Sequence, residues 1–94
     1  MTNIPEAELL PITASLSDEG RLAIGGCDVR KLVEEFGSPL YIYDEATLRG
    51  MCRDFVGGFA DEYPRSHVEY SSKAFANPAV ARIIEEEDLD MDVV

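Results

Sequence analysis

The chain has 94 residues, of which 19 are acidic and 8 are basic, giving a formal net charge of −11. A surface this acidic repels phosphate backbones and anionic lipid headgroups, so we expect neither nucleic acid nor a membrane surface as a partner. Apolar residues make up 46% of the chain and charged residues 29%, which indicates a globular protein rather than a disordered one.

The sequence carries no targeting or metal-binding signal. Its first ten residues lack the basic start and apolar run of a signal peptide, and no run approaches the ~20 apolar residues of a membrane span, so we expect a cytoplasmic protein. Cys27 and Cys52 form no Cys-x-x-Cys pair and His67 is the only histidine, whereas a zinc site needs about four ligands. We therefore predict no metal site.

The N-terminal part of the chain predicts an extended arm and short strands. Prolines interrupt any helix in residues 1–15, which we interpret as the arm. The turn signal at residues 18–20 precedes a predicted hairpin strand over residues 21–24. A second short strand is predicted over residues 40–43, just after Pro39.

Two helices are predicted from capping residues and apolar spacing. Asp28 is suited to cap a short helix, and Gly37 suits the left-handed position after it. Asp44 is suited to cap a longer helix whose end Gly57 and Gly58 weaken. One apolar face runs over three turns of that helix, formed by Leu48, Met51, Cys52, Phe55, Val56 and Phe59. This face is typical of packing on a sheet.

Residues 68–78 predict a strand, a loop that carries a lysine, and the start of a helix. Alternating residues over 68–72 favour a strand, and Lys73 stands just past its end. Asn77 is a good N-cap, and Pro78 suits the first helical position. In open α/β sheets and α/β barrels, chemistry collects at the carboxyl ends of the strands.

A second strand is predicted after this helix. Apolar residues alternate with Asp88, Asp90 and Asp92, so strand, helix and strand follow one another within about 25 residues. Such a short βαβ unit predicts two parallel strands with a right-handed crossover.

Lys73 has two interpretations from its position alone. Most lysines after a strand are solvated and positively charged, and an ammonium group is a poor nucleophile. A desolvated or crowded lysine loses its proton and is able to form a Schiff base with a carbonyl compound. Spacing does not decide between them.

Two blocks of sequence resemble a known enzyme family. YSSKAFANPAVARIIEEEDLDMDVV, residues 70–94, resembles the cofactor-attachment region of the fold-type III pyridoxal-phosphate decarboxylases. GCDVRKLVEEFGSPLYIYDEATLR, residues 26–49, resembles the N-terminal segment of diaminopimelate decarboxylases within that family. The blocks occur in the family's order and spacing. The resemblance as a whole extends over about residues 20–94.

The resemblance implies a fold and a site. The fold class is α/β: the truncated N-terminal part of a pyridoxal-phosphate-binding (β/α)8 barrel, preceded by strands of a separate β domain. Residues 1–43 would accompany the β domain, and residues 44–94 would begin the barrel. The family assigns the Schiff-base lysine to Lys73 and an acidic residue lining the cofactor pocket to Asp92. For Asp92 the alternative is an outward strand residue, because it shares a face with Asp88 and Asp90.

The resemblance also implies a reaction, the decarboxylation of meso-diaminopimelate to L-lysine with pyridoxal phosphate as cofactor, by a homodimer. We expect the 94 residues alone to be inactive, because the family's phosphate site and substrate contacts come later in the sequence. The alternatives are an ornithine or arginine decarboxylase of the same fold, a non-catalytic pyridoxal-phosphate carrier, and a small acidic interaction module.

Overall fold

The computed structural model describes residue 4 and residues 6–92, and it divides the chain into two compact units. One unit ends at Thr47 and the other begins at Leu48. The predicted division into domains after residue 43 stays a prediction. Val93, which continues the alternating pattern of the second predicted strand, and Val94 lie outside the described residues.

The first unit is a small antiparallel sheet followed by a helix. Its elements are a 3₁₀ helix at Ala7–Leu9, strands β1 (Ser15–Leu16), β2 (Leu22–Ile24) and β3 (Cys27–Asp28), and helix α1 (Val29–Phe36). The strands lie in the order β1-β2-β3, each pair antiparallel. The predicted hairpin and short helix are confirmed. The Asp28 carboxylate accepts a hydrogen bond from the Arg30 amide at 2.8 Å, and Gly37 has a φ of 85°.

Two predictions in this unit are wrong. Residues 1–15 were expected to be extended, but Ala7–Leu9 form one 3₁₀ turn in which the Leu10 amide donates to the Ala7 carbonyl at 3.1 Å. A single turn needs only a short proline-free run, which this stretch provides. Residues 40–43 were expected to form a strand, but they have no strand assignment. A strand is defined by its pairing, and no described strand pairs with this segment.

Asp44 links the start of the second helix to the segment before β1. Its carboxylate accepts hydrogen bonds from the Thr47 amide at 3.1 Å and from the Thr47 hydroxyl at 2.5 Å. The same Thr47 oxygen accepts from the Ile12 amide at 2.9 Å, and Thr13 Oγ1 accepts from the Gly25 amide at 2.8 Å. Gly25 has a φ of +59°, and a Cβ there would lie 3.2 Å from Asp44 Oδ1, so both conformation and space favour glycine.

Helix α2 (Glu45–Glu62) is longer than the glycines suggested. It continues through Gly57 and Gly58 and ends at Glu62. Within its second-unit part only Cys52 is buried, while Met51, Phe55 and Phe59 stay about half exposed, at 52%, 52% and 49%. The apolar face therefore exists as predicted, but it is only partly covered. No helix among the described residues is both long and apolar enough to cross a membrane.

The second unit has the predicted strand-helix-strand order. Strand β4 (Glu69–Ser71) and strand β5 (Asp90–Asp92) are parallel, and helix α3 (Pro78–Glu86) connects them. Asn77 caps α3 by accepting from the Val80 amide at 2.8 Å. The core is small: Cys52, Val80 and Ile84 are buried, and the half-buried residues packed against them are Leu48, Tyr70, Phe75, Leu89 and Met91.

The turn from α3 into β5 is a Schellman motif without glycine. The Leu89 amide donates to the Ile84 carbonyl at 3.1 Å, and the Asp88 amide donates to the Glu85 carbonyl at 3.1 Å. Asp88 occupies the left-handed position with a φ of 71°. Ile84 and Leu89 both belong to the core group, which is the hydrophobic contact that accompanies this motif. The left-handed residue that sets the direction of β5 thus lies two residues before the strand begins.

An arginine-glutamate cluster joins α2 to the end of α3. The largely covered Glu87 carboxylate accepts from Arg53 Nε and Nη2 at 2.8 and 3.0 Å, and from Arg49 Nη1 at 2.9 Å. Arg49 Nη2 also reaches Glu86 at 2.6 Å. Hydrogen bonds from Arg53 and then Arg49 hold the pKa of Glu87 below its ordinary value, against the opposing effect of burial. Glu87 therefore stays ionised at neutral pH.

Replacing Asp44 by alanine should loosen the first turn of α2. Loss of an N-cap costs about 1 kcal/mol, so the Thr47 amide should exchange its hydrogen about five-fold faster at neutral pH. Amide hydrogen exchange followed by NMR measures this. The matched control is D18N in the exposed turn at residues 18–20, and a Thr47 rate equal in wild type and D44A would contradict the cap's role.

The stabilising effect of Asp44 on the first turn of α2 should be lost at low pH. Hydrogen bonds from the Thr47 side chain, with smaller ones from Thr13 and the Thr47 amide, lower the pKa of Asp44 despite the opposing effect of partial burial. Its contribution is therefore complete above the pKa of the unfolded carboxyl and is lost as the pH falls through the lower folded pKa. The difference in Thr47 exchange between wild type and D44A should shrink as the pH falls from the unfolded pKa of Asp44 through its folded pKa.

Replacing Asp88 by glycine should stabilise the turn into β5. Glycine adopts the left-handed conformation without the Cβ penalty, which is worth about 1 kcal/mol here. Exchange of the Leu89 amide, which donates to Ile84, should slow several-fold in D88G. The control E85G places glycine inside α3 and should instead weaken the helix by roughly 0.5–1 kcal/mol. Faster Leu89 exchange in D88G would show that the aspartate side chain itself holds the turn.

Candidate active site

The carboxyl ends of β4 and β5 lie side by side. The register pairs Glu69 with Asp90, Tyr70 with Met91, and Ser71 with Asp92. The Ser72 amide then donates to the Asp92 carbonyl at 3.1 Å, one residue beyond the assigned strand. Because the strands are parallel, whatever follows Ser72 lies at the same sheet edge as Asp92. This edge is where sequence reasoning placed the site.

The two faces of this small sheet differ in character. Tyr70 and Met91 are half-buried and pack against the core. Their neighbours along the strands are exposed and point to the other face: Glu69, Ser71, Asp90 and Asp92. Asp92 therefore lies on the polar face, away from the core. Its role in cofactor binding stays a prediction.

Lys73 lies in a tight turn directly after β4. The Ala74 amide donates to the Ser71 carbonyl at 3.2 Å, which places Ser72 and Lys73 at the two central positions of a β-turn. The Lys73 side chain is exposed. The structure thus presents the amine at the carboxyl end of a parallel strand, as predicted, and it brings the Lys73 turn and the Asp92 backbone together through Ser72.

Tyr70 makes a contact that sequence reasoning missed. Its hydroxyl donates to the Phe75 carbonyl at 2.5 Å, spanning the turn that holds Lys73. In the sequence, Tyr70 is only a residue of the strand predicted over residues 68–72 and the first residue of the block at 70–94. An aromatic residue with a hydroxyl three positions before the lysine is the signal in the sequence, but its partner is a backbone group that sequence does not reveal.

An apolar groove lies between α2 and β4. It has a volume of about 570 Å³ and is lined by Met51, Phe55 and Phe59 of the helix and by β4 residues that include Tyr70. At the opposite, amino-terminal end of the sheet, His67 contacts the Asp90 carboxylate. Among residues 4 and 6–92 there is no cluster of three or more metal-ligating side chains.

The geometry defines a βαβ unit of an α/β protein with a lysine at the carboxyl edge of its parallel strands. The chain is 50% identical over 91 residues to the diaminopimelate decarboxylase of Synechocystis sp., an alignment that covers 96% of this chain and 19% of that protein. It is 44% identical over 79 residues to that of Methanothermobacter thermautotrophicus, covering 84% and 18%. It is 40% identical over 82 residues to that of Bacillus subtilis, covering 87% and 19%. No protein-family model matches the chain.

These alignments confirm the resemblance that the two sequence blocks indicated. The chain is similar to diaminopimelate decarboxylases over nearly all of its own length. It spans about a fifth of the length of the curated relatives it matches.

Proposed function

We propose that this chain is the cofactor-attachment part of a pyridoxal-phosphate-dependent carboxy-lyase that converts meso-diaminopimelate to L-lysine and CO₂. The observation that carries the proposal is the position of Lys73, exposed in a turn at the carboxyl end of a parallel strand. The substrate in this proposal is inferred from the names of the relatives, each of which is a diaminopimelate decarboxylase. Ornithine and arginine decarboxylation, a non-catalytic carrier and an acidic interaction module are not favoured by these relatives.

The residues present fit the attachment of pyridoxal phosphate. Lys73 is exposed and is therefore sterically accessible to an aldehyde; in the complete barrel, where neighbouring groups would crowd it, its amine would bind the aldehyde as a Schiff base with loss of one water. When bound, the cofactor's conjugated ring accepts the electron pair that remains on the substrate carbon after CO₂ departs. Asp92, on the polar face beside this edge, would favour the positively charged form of the linked nitrogen.

We infer that the second unit begins a (β/α)8 barrel. The unit has a parallel two-stranded sheet with one exposed polar face, and its helix α2 is only partly covered. In a complete barrel, neighbouring strands and helices would cover these surfaces. A complete barrel takes roughly 250 residues, so the 94 residues alone should be inactive. A homodimer and a cytoplasmic location complete the proposal.

Lysine substitution tests the attachment role. In the intact protein that contains this chain, borohydride reduction with pyridoxal phosphate should fix the cofactor on Lys73, because reduction makes the lysine-cofactor bond permanent. K73A should lose this label. The control K31A removes the other lysine of these 94 residues, an exposed residue of α1, and should keep the label. Mass spectrometry of the labelled peptide is the measurement, and a label on Lys31 alone would refute the proposal.

Asp92 is tested by a spectral titration. A carboxylate near the linked nitrogen favours its protonated form, so removing the charge in D92N should lower the midpoint of the absorbance titration by about one pH unit. The control E69Q removes a carboxylate from the same face near the other end of β4 and should leave the midpoint unchanged. If D92N and E69Q behave alike, Asp92 is an outward strand residue with no part in the site.

A further inference from the structure

Tyr70 connects the core of the second unit to the loop that carries Lys73. Its ring is half-buried and packs against the buried group formed by Cys52, Val80 and Ile84. Its hydroxyl leaves this apolar surrounding and donates to the Phe75 carbonyl at 2.5 Å. One side chain therefore has an apolar anchor at one end and a hydrogen bond to the loop at the other.

The hydrogen bond closes the loop on both sides of the lysine. Tyr70 precedes Lys73 by three residues and Phe75 follows it by two. The bond from the Tyr70 side chain to the Phe75 backbone therefore encloses the four residues between them in a ring. Inside the ring, the turn bond from the Ala74 amide to the Ser71 carbonyl is longer, at 3.2 Å. Beyond the turn, the Phe75 side chain packs on the same core and Asn77 caps α3. The Tyr70 hydroxyl is therefore a side-chain contact that joins the far side of the turn to the strand, beside the packing of Phe75 on the core.

We propose that Tyr70 is a positioning residue for Lys73: its hydroxyl, bound to the Phe75 carbonyl, fixes the turn at residues 71–74 so that the lysine amine starts from a defined backbone position. This inference rests on the proposed attachment of pyridoxal phosphate to Lys73. Tyr70 does not touch the cofactor in this account.

The physical reason is the flexibility of lysine. Its four-carbon side chain has many rotamers, so the amine is placed only as well as the backbone that carries it. Reacting groups need to be held within about 0.5 Å of the productive geometry, which requires a supporting group around the residue that reacts. A hydrogen bond from a ring packed against the core provides such support, because this packing opposes movement of the ring with the loop.

The test compares Y70F with Y63F in the intact protein freed of cofactor. Y70F removes only the hydroxyl and keeps the packed ring. Y63F removes a hydroxyl from a ring that is 70% exposed in the same unit and serves as the matched control. The first readout is the rate at which added pyridoxal phosphate becomes trapped on Lys73 by borohydride. The second is hydrogen exchange of the Ala74 amide, which donates to the Ser71 carbonyl, before any cofactor is added.

Y70F should trap the cofactor about five-fold more slowly than wild type, the factor that corresponds to one ordinary hydrogen bond of about 1 kcal/mol. Exchange of the Ala74 amide should rise by a similar factor, while exchange in α3 stays the same. Y63F should match wild type in both measurements. A merely structural role would instead raise exchange throughout the second unit.

Three outcomes overturn the inference or its basis. If wild type is labelled on Lys73 and Y70F is labelled at the same rate, Tyr70 does not position the lysine, although the proposed function stands. If wild type carries no label on Lys73, the proposed function itself fails. If Y70F does not fold, the wild-type exchange decides: an Ala74 amide that exchanges at the unprotected rate would show that the turn is not fixed.

Discussion

The parallel pairing of β4 with β5 is the constraint on which the second unit depends. Residues 69–71 and 90–92 are far apart in the sequence, and their register sets Ser71 beside Asp92. The pairing continues through the Ser72 amide, so the lysine turn begins where the neighbouring strand still provides a partner. A shift of one residue would exchange the two faces of β5, exposing Met91 and burying Asp90 and Asp92. The small core and the candidate site therefore depend on the same register.

Groups outside the sheet hold this register in place. Ile84, only 1% exposed, fixes α3 against the strands, and the left-handed Asp88 turns the chain into β5. The Glu87 carboxylate joins the end of α3 to α2 through Arg49 and Arg53. Two-point contacts of this kind between arginine and carboxylate define direction as well as distance. The apolar core is small, so directional polar contacts determine much of how the helices and strands of the unit are arranged.

Local signals in the sequence predicted much of the fold. Asp28, Asp44 and Asn77 each cap the predicted helix, because a capping residue acts within three positions of itself. The alternating pattern before and after α3 predicted both parallel strands. The predictions that failed or were missing depend on contacts across the chain. Residues 40–43 have the composition of a strand but pair with no described strand, and the Tyr70 hydroxyl binds a carbonyl that any residue offers. For the same reason the sequence located Lys73 but not the contact that spans its turn.

Product analysis tests most directly whether the lysine turn is part of a decarboxylase. The intact protein that contains this chain would be incubated with pyridoxal phosphate and meso-diaminopimelate, and in parallel with ornithine or arginine. We expect CO₂ and L-lysine in equal amounts from meso-diaminopimelate, and no CO₂ from the other two amino acids. Release of CO₂ from ornithine or arginine alone would contradict the proposed substrate. Release from none of the three, by a folded protein loaded with cofactor, would contradict the decarboxylase itself.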